Sequence, residues 1–268
     1  MEPGNDAGFF YLYRSMLSKN KIKYLTSLQV KKYREEYGQF VAEGVKLVDE
    51  LLESRFKVVE IFALNEWISK HRSISNIDIN EITQTELERI SGLSTPNQVV
   101  ALIDIPKPII NINEVYSDLI IALDDIKDPG NLGTIIRIAD WFGIKNIVCS
   151  ENCVNVYNPK VVQATMGSIA RVNVFYSNLN KYISNAPKGI NVYGTLLEGE
   201  NIYQKKLSDK GIILIGNEAK GISEELISLI TDKIHIPSFA EDTNNKAESL
   251  NASIATAIIC SEFRRRTI

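Results

Sequence analysis

Residues 211–265 read GIILIGNEAKGISEELISLITDKIHIPSFAEDTNNKAESLNASIATAIICSEFRR, and this stretch decides the fold. Its apolar run from Ile212 to Ile215 is too continuous for a strand with one wet face, so it predicts a parallel strand buried on both sides. The strand ends on Gly216-Asn217-Glu218, with Gly221-Ile222-Ser223 behind it. Two glycines around a carboxylate make a loop whose backbone can fold tightly. It lies at the strand edge where α/β sheets bind ligands. Ser223-Glu224-Glu225 reads as the start of a helix over 223–231, with its acidic residues on the positive end of the dipole. Ile234-His235-Ile236-Pro237 is a short strand stopped by proline. After a polar loop over 238–248, Ser249-Leu250-Asn251 opens a last helix with Leu250, Ile254, Ala257 and Ile258 on one stripe. Its other faces carry Ala252, Ser253, Ala255 and Thr256, small enough for a close backbone approach.

Working outward, the same rhythm extends upstream. Apolar strands are predicted at 119–123, 146–149, 172–175, 191–196, 212–215 and 233–236. Helices lie between them at 132–142, 160–170, 178–185, 223–231 and 249–265. Strand-then-helix repetition of this kind implies a doubly wound parallel sheet covered on both faces. Before it, the pattern predicts a helix at 22–36, strands at 39–43, 58–64, 77–82 and 99–103, and helices at 45–54, 65–71 (capped by Asn65) and 85–90. That is a small α/β domain. Ile105-Pro106-Lys107-Pro108 puts two prolines in four residues and favours an extended linker. The chain therefore divides into an N-terminal domain over 1–106, a linker over 107–117 and a C-terminal domain over 118–268.

Composition sets the class. The 268 residues carry a net charge of −3 with 44% hydrophobic and 24% charged residues, the profile of a soluble globular protein. No run of eighteen apolar residues and no signal-peptide pattern occurs, so neither membrane insertion nor secretion is expected, and the location is cytoplasmic. Three cysteines, Cys149, Cys153 and Cys260, form no disulfide framework. They lack the second Cys–Cys pair of a zinc site, so they read as buried thiols and no metal is implied. No G-x-G-x-x-G follows the first strand of the second domain, and no Walker-type loop exists, which removes the phosphate cradle of nucleotide-binding readings.

Upstream of the quoted stretch, residues 124–137 read DDIKDPGNLGTIIR. Asn131 can cap the helix that follows and Gly143 can end it. Leu132, Ile135, Ile136 and Ala139 form its apolar stripe, and at about 100° per residue Arg137 points nearly opposite. Three motifs stand here in one order: D-x-x-x-x-P-G-N-x-G-x-x-x-R, then G-N-E-x-x-G-I-S, then I-P followed by S-L-N-x-S-x-A at a helix start. In that order they resemble the SpoU/TrmH family of RNA 2′-O-ribose methyltransferases, within the SPOUT superfamily. The stretch 32–52 resembles the substrate-binding domain, similar to ribosomal-protein folds, that precedes the catalytic domain in many members. Two departures are visible: Ala219 stands where a glycine is common, and the loop over 238–248 is longer than usual.

The resemblance implies a C-terminal chain threaded as a deep trefoil knot, a homodimer joined through the knotted domain, and S-adenosylmethionine as cofactor. It implies an RNA substrate, transfer RNA or ribosomal RNA. It assigns activation of the 2′-hydroxyl to Arg137 and active-site contacts to Asn131, Glu218, Ser249 and Asn251. Cofactor contacts are carried over to Gly216, Ile236 and Leu250, with Thr195 and Leu196 added. Because an arginine pKa lies above about 12, Arg137 is expected to orient the ribose and stabilise alkoxide character instead of removing the proton. Near the N-terminus, Arg14, Lys19, Lys21, Lys23, Lys31, Lys32 and Arg34 precede any acidic residue after position 6 and alternate with tyrosines, which reads as a phosphate-contacting patch. The competing readings are a non-catalytic knotted RNA-binding protein, a base-directed knotted methyltransferase and, least, a nicotinamide-dependent oxidoreductase.

Overall fold

A computed structural model describes residues 16–107, 116–240 and 248–265. The N-terminal unit runs α1 (Lys19–Ser27), α2 (Lys31–Tyr37), β1 (Gln39–Glu43), α3 (Val45–Leu52), β2 (Val58–Ala63), α4 (Asn65–Lys70), β3 (Asp78–Glu81), α5 (Gln84–Ile90) and β4 (Val99–Asp104). Its four strands lie in the order β1-β4-β2-β3. β4 is antiparallel to β1 and β2, and β3 is parallel to β2. The single helix expected over 22–36 is two. The N–H of Leu28 bonds to the carbonyls of Leu25 and Thr26, closing α1. Nη1 of Arg34 then donates to the carbonyls of Leu28 and Gln29 at 2.9 and 3.0 Å. Asn65 does not cap α4: Leu64 holds that position with no side-chain bond. α5 starts one residue early because Thr83 and Glu86 form a reciprocal capping box, as such a pair does.

The C-terminal unit runs β5 (Leu119–Leu123), α6 (Pro129–Trp141), β6 (Asn146–Cys149), α7 (Pro159–Ala164), a 3-10 turn (Ser168–Ala170), β7 (Asn173–Tyr176), α8 (Leu179–Ser184), β8 (Val192–Asn201), β9 (Gly211–Ile215), α9 (Glu224–Ile227), β10 (Asp232–His235) and α10 (Ala252–Arg265). Its six strands stand in the order β10-β8-β9-β5-β6-β7, and every neighbouring pair is parallel. Every residue of β5 and β9 is buried. Alternation divides them: Ile120, Ala122, Ile212 and Leu214 pack with Leu179 and Leu226 on one face. On the other, Ile121, Leu123, Ile213 and Ile215 meet Ile135 and Ile136 of α6 and Ile259 and Phe263 of α10. Each fully buried leucine or isoleucine contributes about 1.5–3 kcal/mol of transfer free energy.

Three expected elements change shape. The helix over 160–170 breaks after Ala164, where Met166 and Gly167 take φ of 51° and 98°. The helix over 223–231 keeps only α9 and then tightens into i→i+3 turns, Leu229 to Leu226 and Ile230 to Ile227. β8 outruns its expected end, but its pairing with β10 jumps from Gly194↔Lys233 to Glu200↔Ile234. Residues 195–199 are therefore thrown out of the ladder. Of the expected linker, 108–115 lie outside the described residues, as do 241–247 of the polar loop.

The two units touch directly. The rings of Phe40 and Tyr157 approach to 4.8 Å. Arg55 bonds to the Asn173 side chain and the Val172 carbonyl. Arg171 reaches Glu50 of α3 and, with Nε and Nη2, both carboxylate oxygens of Asp140 of α6. All three cysteines are buried. No helix among the described residues is long and apolar enough to cross a membrane. Among the same residues no group of three or more His, Cys, Asp or Glu could hold a metal ion.

Candidate active site

The site forms where β5 and β9, adjacent in the sheet, reach their C-terminal ends. Asp124 follows β5; its carboxylate accepts the Ser223 N–H at 2.8 Å. Asp125 takes a left-handed φ of 58°, a conformation that Asp tolerates better than most residues. It is held from both sides: its N–H donates to Ser150 Oγ at 2.9 Å, and its carbonyl accepts from Asn217 Nδ2 at 2.8 Å. Asp128, not Asn131, caps α6, accepting the Asn131 N–H at 2.8 Å, with Pro129 in the first turn. Asp-Pro at a helix entry carries that signal, since proline is preformed for the first helical position.

Released from capping, the Asn131 side chain is buried and used twice. Its Nδ2 donates to Glu218 Oε1. Its Oδ1 accepts from Asn251 Nδ2 at 2.9 Å. Asn251 in turn caps α10, its Oδ1 accepting from the N–H groups of Ser253 and Ile254 and from Ser253 Oγ. One amide thus ties the starts of two helices to the loop after β9.

That loop is shaped by backbone approach. A Cβ on Gly216 would lie 2.3 Å from the Gly221 carbonyl carbon, so no larger residue fits. Asn217 and Gly221 exchange both backbone hydrogen bonds at 2.9 Å, and Asn217 Oδ1 accepts the N–H groups of Ala219 and Lys220. Gly221 supplies the left-handed φ of 70°. Ala219 is not among the residues with positive φ, so alanine is accommodated without strain. Ser223 starts its helix as expected, whereas Asn217 and Asp128 are residues to which the sequence reading gave no role. An asparagine heading a turn was the available signal for the first.

Arg137 stands on the outer side of α6, away from the apolar stripe. It is exposed, and it shares that side with Trp141, one turn on and 85% exposed. Among the described residues no hydrogen bond joins Arg137 or the exposed Ser249 to the Asn131–Glu218–Asn251 cluster. The structure therefore brings three of the five candidate catalytic residues together.

Of the residues expected at the cofactor, Thr195 and Leu196 lie where β8 departs from the ladder, and Gly216 and Ile236 just past the ends of the neighbouring β9 and β10. Thr195 leaves β8 with its Oγ1 bonded to the Leu214 carbonyl at 3.0 Å. Gly216 follows β9 and Ile236 follows β10. Leu196 and Ile236 are half-buried, and Leu250 is exposed beside Asn251. This donor set is backbone amide and carbonyl with apolar cover and no cationic cradle. Such a set suits an adenosyl group without phosphates. A cavity of about 620 Å³ opens between the two units, lined in part by Arg34, Arg55, Tyr157 and Tyr176 and by none of the three motifs.

In the expected RNA patch, Lys19, Lys23, Lys31 and Lys32 are exposed. Lys31 lies 3.5 Å from Glu35, and Lys21 is bonded to Glu60 at 2.6 Å. Arg34 is a correction: it is 2% exposed, its guanidinium spent on the carbonyls that end α1. Burial holds its pKa below the ordinary arginine value. Arg14 lies outside the described residues.

Residues 118–261 match the model of the SpoU rRNA methylase family, and residues 19–101 match the MRM3-like substrate binding domain. A TrmH-family structure from Porphyromonas gingivalis, solved as a candidate RNA methyltransferase, is 37% identical with a TM-score of 0.84 over 94% of this chain and 100% of its own. An rRNA methyltransferase from Sinorhizobium meliloti with bound AdoMet is 28% identical, with a TM-score of 0.82, covering 95% of this chain and 97% of its own. The 23S rRNA (guanosine(2553)-2′-O)-methyltransferase RlmP of Bacillus subtilis is 28% identical over 91% of this chain and 96% of its length.

Proposed function

The chain belongs to the SpoU rRNA methylase family, and we propose that it methylates a ribose of large-subunit ribosomal RNA. The family reaction is methyl transfer from S-adenosylmethionine to a ribose 2′-hydroxyl. Ribosomal RNA is favoured over transfer RNA because the relatives from B. subtilis, Streptomyces viridochromogenes and Neisseria meningitidis are named as 23S rRNA 2′-O-methyltransferases. The single observation that carries the reading is the Asn131 amide held between Glu218 and Asn251.

S-adenosylmethionine supplies a methyl group on a sulfonium, which departs as a neutral thioether. The chain's part is positioning and charge. Gly216, Ile236, Leu250, Thr195 and Leu196 would hold the cofactor with backbone groups and apolar cover. Glu218, Asn131 and Asn251, joined by their hydrogen bonds, would form one wall of the reaction site. Ser249 and Asn251 contact the substrate side. Arg137 would hold the ribose and an adjacent phosphate and stabilise negative charge developing on the 2′-oxygen. The 2′-hydroxyl proton would pass to water or a phosphate oxygen, since the guanidinium is already protonated and has no acceptor for it.

In this reading the domains divide at 1–106 and 118–268, with the C-terminal chain knotted and the protein acting in the cytoplasm. The working form is a homodimer. Trp141, Leu250 and Ile254 leave apolar surface on α6 and next to and on α10, helices that pack on each other, and a second copy would cover it. Lys19, Lys23, Lys31 and Lys32 contact RNA phosphates.

The test is methyl transfer from tritiated S-adenosylmethionine to ribosomal RNA and, separately, to transfer RNA, each from a strain lacking the gene. Label in ribosomal RNA alone supports the reading. Label confined to transfer RNA overturns the substrate, and label in neither overturns the activity on naked RNA.

A further inference from the structure

Three tyrosines form a row across α1 and α2. The rings of Tyr24 and Tyr37 are 5.0 Å apart at 59°, and those of Tyr33 and Tyr37 are 6.2 Å apart and nearly parallel at 12°. A lysine stands at each end: Lys21 Nζ is 5.9 Å from the Tyr24 centroid, and Lys32 Nζ is 5.8 Å from that of Tyr33. One ring is anchored, because the Tyr24 hydroxyl donates to Gln39 Oε1 and Gln39 Nε2 donates to Asp104 at 2.7 Å. The hydroxyls of Tyr33 and Tyr37 have no hydrogen-bond partner among the described residues. Tyr37 is 44% exposed. Gly38 follows with φ of 64° and ends α2.

Charge alone would make this a poor RNA surface. Glu35 and Glu36 are exposed on α2 beside the lysines, and Lys21 is already paired with Glu60. What the surface offers beyond charge is an aromatic face flanked by ammonium groups. A paired duplex keeps its base faces inside the stack and presents phosphates, 2′-hydroxyls and base edges. An unpaired nucleotide presents a π-face and a phosphate together, the pair of features this row can bind. Resting on the reading of the chain as an RNA methyltransferase, we infer that the Tyr24–Tyr37–Tyr33 row stacks an unpaired base of the RNA substrate, with Lys32 on a flanking phosphate. The N-terminal unit thereby selects looped or single-stranded RNA near the methylated ribose.

The experiment uses the full chain and fluorescence anisotropy of two labelled RNAs of matched length: a hairpin with an unpaired loop and a blunt duplex. Tyr37→Ala is expected to weaken hairpin binding roughly ten-fold, within the range for loss of one base–aromatic stack, and to leave duplex binding unchanged. Tyr37→Phe keeps the ring and is expected to bind the hairpin like wild type, and cofactor binding stays unchanged in both. Equal hairpin affinity in Tyr37→Ala and wild type overturns the inference, as does a Tyr37→Phe loss equal to that of alanine. Binding is read without methyl transfer, so the two readings fail separately. Ring-dependent hairpin binding with no methylated RNA would sink the proposed activity alone. Methylation with an unchanged RNA KM in Tyr37→Ala would sink this inference alone.

Discussion

Asn131 does more than its position in a P-G-N motif suggests. Its amide satisfies a carboxylate on one side and a second amide on the other, so truncation leaves the half-buried Glu218 and the exposed Asn251 without their shared partner. Asn131→Ala is expected to lower stability by about 0.5–1.5 kcal/mol, the net worth of a hydrogen bond whose partners regain water, and to abolish methyl transfer. Thermal unfolding and a single-turnover assay measure the two effects. Arg137 makes the opposite prediction because it is exposed and unengaged: Arg137→Lys keeps the charge and loses the planar fork. The rate constant should fall more than ten-fold with cofactor affinity unchanged, and a near-wild-type rate would remove geometry from its role. Residue types at this scale were legible, and their directions were not. The glycine at 216 announced a tight turn, yet the reason it admits no side chain, the carbonyl carbon of Gly221 at 2.3 Å from a Cβ, is a contact across the loop. Arg34 read as part of a basic patch because a list of cations does not say which one turns inward to close a helix.

Among the elements, periodicity was readable where burial is two-sided. β5 and β9 are apolar throughout because both faces are covered, and their identity as parallel strands follows from that. Strand order was not readable. Only the placement of β9 beside β5 brings Glu218 to Asn131 across 87 residues of chain. α10 shows the other gap. Its Leu250–Ile254–Ile258 stripe has the period of a core face, but the buried side is Ala252, Ser253, Thr256, Ile259, Cys260 and Phe263. Small residues face inward because α6 packs closely there, and Leu250 and Ile254 of the apolar stripe are left exposed, the face that the proposed homodimer would cover. Ile254→Glu, at a residue 52% exposed, is expected to shift the protein from dimer to monomer in sedimentation velocity while its unfolding midpoint stays within a few degrees. A wild-type monomer at the same concentration would contradict the assignment.

At the level of the whole molecule, the N-terminal unit is docked onto the catalytic one by polar contacts that no sequence pattern foretold. Arg171 joins Glu50 of α3 to Asp140 of α6, and these two carboxylates hold its guanidinium above the ordinary arginine pKa. Asp140 shares α6 with Asn131 and Arg137, so the clamp sets where the N-terminal unit stands relative to the site. Because the side chain is half exposed, Arg171→Ala should cost at most about 1 kcal/mol of stability. Its effect is expected in alignment: the KM for RNA rises several-fold while cofactor affinity holds. Unchanged RNA kinetics would mean the docking is decorative.

The most direct measurement is nucleoside mass spectrometry on ribosomal RNA from a strain lacking the gene, after incubation with the protein and deuteromethyl S-adenosylmethionine. Wild type is expected to place the heavy methyl on a ribose, recovered as a single 2′-O-methylnucleoside, and Arg137→Ala to place none while still binding cofactor. A heavy methyl on a base, or full ribose methylation by Arg137→Ala, would contradict the account.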